Sequence, residues 1–199
     1  MRIGALPSLL VSATLALVAS GRGGAQAAPT ATQQLQLSVF AGASAVATDF
    51  HSGRNLSITA GVDLGLRPVY SLFPSLEVRG TYPVDKGQVD SQRNILGGLK
   101  VAKHYGPFHP YADFLFGRGE IQYKNGFVTP DRALFYTQSV SNVLSPGIGM
   151  DLQLNHHFSF KVDAQFQRYS SPVTNSGHLI AKSGTVGLVY RFTPDRRQR

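Results

Sequence analysis

The sequence predicts an all-β chain: eight antiparallel strands closed into a transmembrane up-and-down β-barrel. Three observations carry this. Period-two alternation of apolar and polar residues recurs eight times after Gln34, most of the alternating runs are ten or more residues long, and the connections between them alternate between long and short. Strict alternation is the signature of a strand with two unlike faces. Globular strands average ~5–6 residues, whereas a tilted strand crossing a membrane needs ~9–11. Length therefore favours the membrane over a soluble sandwich.

The N-terminus bounds the compartment. Met1-Arg2 is a basic start, Ile3 to Ala19 an apolar run, and Ser20 to Ala28 a small and polar stretch ending Ala25-Gln26-Ala27-Ala28. This order reads as a secretory signal peptide over residues 1–28, with the mature chain starting near Pro29. Pro7, Ser8, Ser12 and Thr14 make the run a poor spanning helix, and no other segment comes near one. A barrel domain over 34–193 and a basic tail over 194–199 follow. An exported chain without cysteine has no disulfides, so closure of the sheet must supply its stability. The absence of tryptophan argues against lipocalin and avidin folds. Removing Arg2 and Arg22 with the leader leaves 17 basic against 11 acidic side chains. Part of that excess sits in Arg196, Arg197 and Arg199, no nucleic-acid motif is present, and no nucleic-acid partner is expected.

The strands read in order as Leu35–Thr48, Leu56–Leu66, Pro74–Val84, Ile95–Tyr105, His109–Tyr123, Val143–Leu154, Phe158–Gln167 and Leu179–Phe192. In the second, every even residue is apolar and the odd set is Ser57, Thr59, Gly61, Asp63 and Gly65. In the seventh, Lys161 and Asp163 mark the polar face. Gly117-Arg118-Gly119 disturbs the phase of the fifth, and a bulge is expected there. The odd-numbered connections are long and polar: Asp49–Asn55, Asp85–Asn94, Lys124–Asn142 and Ser170–His178. The even-numbered ones are Arg67–Phe73, which is a little long for the pattern, the tight Gly106-Pro107-Phe108 and the turn at Asn155-His156. Outer-membrane barrels have short periplasmic turns and longer extracellular loops. The expected location is thus the bacterial outer membrane, with both termini periplasmic.

Eight strands enclose a space just wide enough for side chains to fill. The inward face is expected to collect Asp63, Glu77, Arg79, Lys100, Asp113, Asp151, Lys161, Asp163 and Arg191 as a lumen network of ion pairs and hydrogen bonds, because enclosed charges need partners. The lipid face is expected to carry Val39, Leu64, Leu76, Val78, Leu99, Val101, Phe114, Phe116, Ile148, Leu152, Phe160, Val162, Val186 and Leu188. Tyr82, Tyr105, Phe158, Phe166, Tyr190 and Phe192 sit near strand ends, as in an interfacial aromatic girdle.

Gly187-Leu188-Val189-Tyr190-Arg191-Phe192 resembles the C-terminal strand of outer-membrane proteins. His109-Pro110-Tyr111-Ala112-Asp113 followed by Gly117, and Pro146-Gly147-Ile148-Gly149-Met150-Asp151 before a short turn, are similar to the fifth and sixth strands of OmpA/opacity-type barrels. The resemblance covers roughly Gln34 to Phe192 and rests on order and spacing more than on any single motif. It implies that Tyr190 and Phe192 form the signal read by the barrel-assembly machinery. Many such proteins end at the phenylalanine, whereas this chain continues through Thr193–Arg199.

Three chemistries come into question from the residues. His157-Phe158-Ser159 has an H-x-S spacing open to a lipid A-modifying hydrolase, but no orienting acid or oxyanion hole accompanies it. The six histidines at 51, 104, 109, 156, 157 and 178 are scattered, so no metal or cofactor is expected. A filled lumen excludes bulk diffusion, leaving at most narrow passage of small or apolar solutes. The expectation is a monomeric barrel without catalysis, with a structural, envelope or surface-interaction role. Its partners would be outer-membrane lipid, lipopolysaccharide and the assembly machinery. Lys86, Arg93, Arg132 and Arg168 near the outer rim are candidates for lipopolysaccharide phosphates, and Lys124–Asn142, with Phe127, Pro130, Phe135 and Tyr136, for a surface partner.

Overall fold

The computed structural model describes residues 36–49, 53–85, 90–128, 135–171, 174 and 176–192. The leader at 1–28, Lys86, Pro130, Arg132 and the tail at 194–199 lie outside the described residues. Eight strands follow in chain order: β1 Gln36–Thr48, β2 Arg54–Gly65, β3 Leu72–Asp85, β4 Asp90–Lys103, β5 Phe108–Val128, β6 Phe135–Gln153, β7 Phe158–Ser170 and β8 His178–Phe192. Each is antiparallel to its sequence neighbour, and β1 pairs with β8 from Leu37↔Phe192 to Thr48↔Ala181, which closes the barrel. Closure leaves no free edge within the wall, as a sheet surrounded by lipid requires.

Local chemistry explains the tight ends. Val69 and Leu72 exchange hydrogen bonds across Tyr70 and Ser71, both at positive φ. That is the mirror-image turn which matches the strand twist. Gly106, at φ +59, supplies the left-handed residue for Gly106-Pro107 between β4 and β5. Between β6 and β7 the Asn155 side chain accepts from the backbone N–H groups of His157 and Phe158, at 2.9 and 2.7 Å.

Three boundaries differ from the sequence expectation. The long connection at Lys124–Asn142 is mostly strand: β5 runs to Val128 and β6 starts at Phe135, with pairs Gln122↔Gln138 and Phe127↔Tyr136. Likewise β4 begins at Asp90, inside the connection expected at Asp85–Asn94. Thr137, Gln138 and Asn142 are exposed; where no face is buried, alternation has nothing to enforce it, although the backbone pairs on. The bulge expected at Gly117-Arg118-Gly119 is absent, because Gly117↔Val143, Arg118↔Asn142 and Gly119↔Ser141 are in continuous register. The register shifts instead between Gln122 and Phe127, where Gly126 takes φ +66. A second irregularity lies between Leu56 and Ser57, opposite Pro83, which has no N–H to give the ladder.

The two faces of the wall are inverted relative to a soluble protein. Leu76, Val78, Phe114, Phe116, Ile148, Val186 and Leu188 are exposed on the outside. Leu64, Val101 and Leu152, half-buried, continue the same face. Tyr105, Phe158 and Phe192 are exposed at the end carrying both barrel termini and the tight turns, and Tyr82 and Phe166 toward the opposite end. An exposed apolar surface of this extent is not tolerated in water.

Candidate functional site: the filled lumen

Inward-facing positions follow one phase along each strand, and that phase brings the charged residues together. Arg79 is 2 % exposed and forms ion pairs with Glu77, with Asp163 at 2.8 Å and with Asp113 at 3.5 Å. Lys100 lies 3.2 Å from Asp63, 3.4 Å from Asp151 and 3.9 Å from Glu77. Lys161 stands 3.9 Å from Asp151 and 4.0 Å from Glu77. Eight of the nine charged residues expected inside are thus joined in one network.

The ninth, Arg191, is placed differently. It is half-buried at the mouth on the side of the tight turns, where its guanidinium lies 3.1 Å from His109 Nδ1 instead of joining an ion pair. Its position near the end of β8 puts it beyond the carboxylates. His109 stacks on His104 at 3.9 Å, and His104 on Phe73 at 3.8 Å, so three rings and Arg191 line the mouth. Burial, with His109 and Arg191 alongside, pushes the His104 imidazole down to about 4.

Five carboxylates face three cations in the interior, and neutral donors complete the set. Tyr111 donates to Asp163 at 3.0 Å; Gln165 donates to Asp113 at 2.9 Å and to Asp163 at 3.1 Å, while accepting from Ser145 at 2.7 Å. Two aromatic rings sit among the cations. Lys161 Nζ lies 4.5 Å from the Phe40 ring centre and 4.4 Å from that of Tyr111, and Lys100 Nζ 4.1 Å from Tyr111. Inward-facing glycines make the room. A Cβ at Gly61 would come within 2.6 Å of the Phe40 ring, and one at Gly149 within 2.4 Å of Tyr111.

Toward the end away from the tight turns the lumen changes character. Hydroxyls of Thr185, Ser44, Thr59 and Thr81 hydrogen-bond in succession at 2.6–3.0 Å. Beyond them an apolar cluster of Val46, Leu96, Leu115, Ile121, Tyr123, Val143, Tyr169, Leu179 and Ala181 fills the core, with Leu115, Ile121 and Val143 fully buried. Tyr169 is held by Asn94 at 2.8 Å and itself donates to Gln167 at 2.9 Å. The sequence reading assigned the lumen to polar residues alone, and this apolar plug was missed. The signal existed: Leu115 lies two residues from Asp113 on the same phase, and Val143 two from Ser145.

The H-x-S pair is not assembled. His157 is exposed at the β6–β7 turn, while Ser159 Oγ is fully buried in the lumen with no hydrogen-bond partner among the described residues. No group of three metal-ligating side chains occurs among the described residues. Tyr190 packs against Phe158 at 5.2 Å and Phe192 at 4.9 Å on the closing strand.

A charged, hydrogen-bonded interior inside a closed wall with an apolar exterior defines an inside-out, membrane-spanning eight-stranded barrel. No protein-family model matches the chain, and no curated protein matches its sequence. Among solved structures it is similar to Neisserial surface protein A, at 11% identity over 78% of this chain and 95% of that one, with a TM-score of 0.49. It is also similar to the outer membrane protein OprG of Pseudomonas aeruginosa, at 12% identity, 81% and 98% coverage and a TM-score of 0.49. A third is the outer membrane enzyme PagL, at 13% identity, 78% and 99% coverage and a TM-score of 0.47.

Proposed function

We propose that this chain is an integral outer-membrane barrel of OmpA/opacity type, exported by a cleaved signal peptide, that serves the envelope or the cell surface without conducting solutes and without catalysis. The observation that carries the reading is the packed lumen. Ion-paired side chains fill its periplasmic half and an apolar cluster its outer half, so the wall encloses a core where a porin encloses a channel. The basic and apolar leader sequence supports export, and Tyr190 and Phe192 at the closing strand support recognition by the assembly machinery. The β5–β6 hairpin, whose strands run on to Val128 and from Phe135, is the longest outer extension and the natural surface for an external partner.

Fractionation tests the location and planar-bilayer recording the absence of a channel. The chain should appear in the outer-membrane fraction, migrate faster on gels before heating than after, and give no resolvable single-channel steps. Recovery as a soluble periplasmic protein, or stable conductance steps from purified folded chain, would overturn the reading.

A further inference from the structure

The lipid-facing surface carries a trough of about 640 Å³ in its outer half, crossing β2 to β5. Its floor follows from register. Ala60 pairs with Gly80, Gly80 with Ile95, and Ile95 with Arg118, so four outward-facing positions form one row across four strands. The row starts on two residues with almost no side chain. The flanking pair Ile58↔Tyr82 is bulky and exposed, and walls the trough on one side.

Barrel strands tilt by ~35–45°, so a row perpendicular to them climbs along the membrane normal. The sequence gives the sense of the climb. On β2 the outward face stays apolar above Ala60, through Ile58 and Leu56, before reaching Arg54. On β5 the last apolar outward residue is Phe116, directly below Arg118. The trough therefore descends from the polar boundary at Arg118 to hydrocarbon depth at Ala60.

Its upper end is built for an anion. Arg118 is exposed and has no ion pair among the described residues. Arg93 lies beside it, fixed to Glu120 at 2.6 Å. An arginine with its fork of donors free, at headgroup height, matches a phosphate. The Glu120 carboxylate, held by Arg93 and Gln122, keeps lone pairs for a sugar hydroxyl.

We propose that this trough binds lipopolysaccharide of the outer leaflet, with one acyl chain lying over Gly80 and Ala60 and a lipid A phosphate on Arg118. The site rests on the outer-membrane reading above and adds a specific lipid to it. One lipid held in register would fix the barrel's outer half against β2–β5, on the side of the wall opposite β7 and β8.

The full folded chain in detergent micelles, titrated with bisphosphorylated lipid A and read by native mass spectrometry, tests this. Arg118→Gln and Gly80→Leu should each weaken binding by about tenfold. A Cβ at Gly80 meets nothing nearer than 3.7 Å, so the leucine fills the trough without disturbing the strand. Gly184→Leu, the same change on the lipid face of β8 where a Cβ meets nothing, should bind as the parent chain does. Faster gel migration before heating reports that each variant is folded. Parent-like binding by both trough variants, equal weakening by Gly184→Leu, or phosphatidylglycerol binding as tightly as lipid A would overturn the site. Those results leave the outer-membrane reading intact, since fractionation tests it separately; a chain found outside the outer membrane would overturn both.

Discussion

Removing the Arg79 guanidinium is the sharpest perturbation of the lumen. Its partners, Glu77, Asp163 at 2.8 Å and Asp113 at 3.5 Å, are all buried, and the nearest remaining cation to Glu77 is Lys100 at 3.9 Å. Arg79→Met would leave three carboxylates facing one another with too few cations. Breaking a buried ion pair from one side costs about 3–5 kcal/mol, because the orphaned charge stays desolvated. Arg79→Lys keeps the charge but loses the fork to Asp163, and should cost about 1–3 kcal/mol. Adding Asp163→Asn to Arg79→Met should cost less than the sum of the two single changes, by about 1 kcal/mol or more. Urea titration of the folded chain in lipid vesicles, followed by the gel shift between folded and unfolded forms, measures all three; the chain has no tryptophan to report fluorescence. A loss below about 1 kcal/mol for Arg79→Met would refute the claim that these charges hold one another inside.

Three further outcomes follow from the same packing. Leu115→Ala, at a site with no exposure, should cost about 2–5 kcal/mol in that titration and leave the lipid-facing Phe114 and Phe116 in place. Gly149→Val would drive a side chain into the Tyr111 ring and should prevent folding, as read by loss of the gel shift, whereas Gly184→Val should fold normally. His104 has its imidazole pushed down to about 4 from an ordinary 6.5, so between those values the unfolded chain binds the extra proton. Stability should be full above about pH 6.5 and fall as pH drops toward 4; His104→Phe, which keeps a ring on Phe73, should flatten that part of the urea-midpoint profile relative to the parent.

Strand architecture was legible wherever one face meets lipid and the other a polar lumen, as in Phe158–Gln167, where every second residue is polar. It faded where the two faces became alike. Along the start of β6, from Phe135 to Asn142, neither face is buried, so the strand runs through a segment that reads as loop. In Phe114-Leu115-Phe116 and Leu179-Ile180-Ala181 both faces are apolar, so the plug residues Leu115 and Leu179 merge with their lipid-facing neighbours. Phase counted from a charged neighbour separates them; composition does not. The charges themselves were legible as inward-facing, but which carboxylate meets which cation depends on register around the whole barrel, and no local pattern encodes it. Arg191 shows the limit: it has the inward phase, yet it lies too near the mouth to meet an acid. The trough on β2–β5 was equally hidden, because Ala60, Gly80 and Arg118 become neighbours only through strand pairing.

Single-cysteine labelling along β7 tests the inverted wall, since the chain has no cysteine of its own. A fluorophore at positions 160, 162, 164 and 166 should be quenched by brominated lipid in vesicles. Cysteines at 161, 163, 165 and 167 should resist both labelling and quenching. Quenching at the odd positions, or water-like labelling at both sets, would contradict the inverted wall.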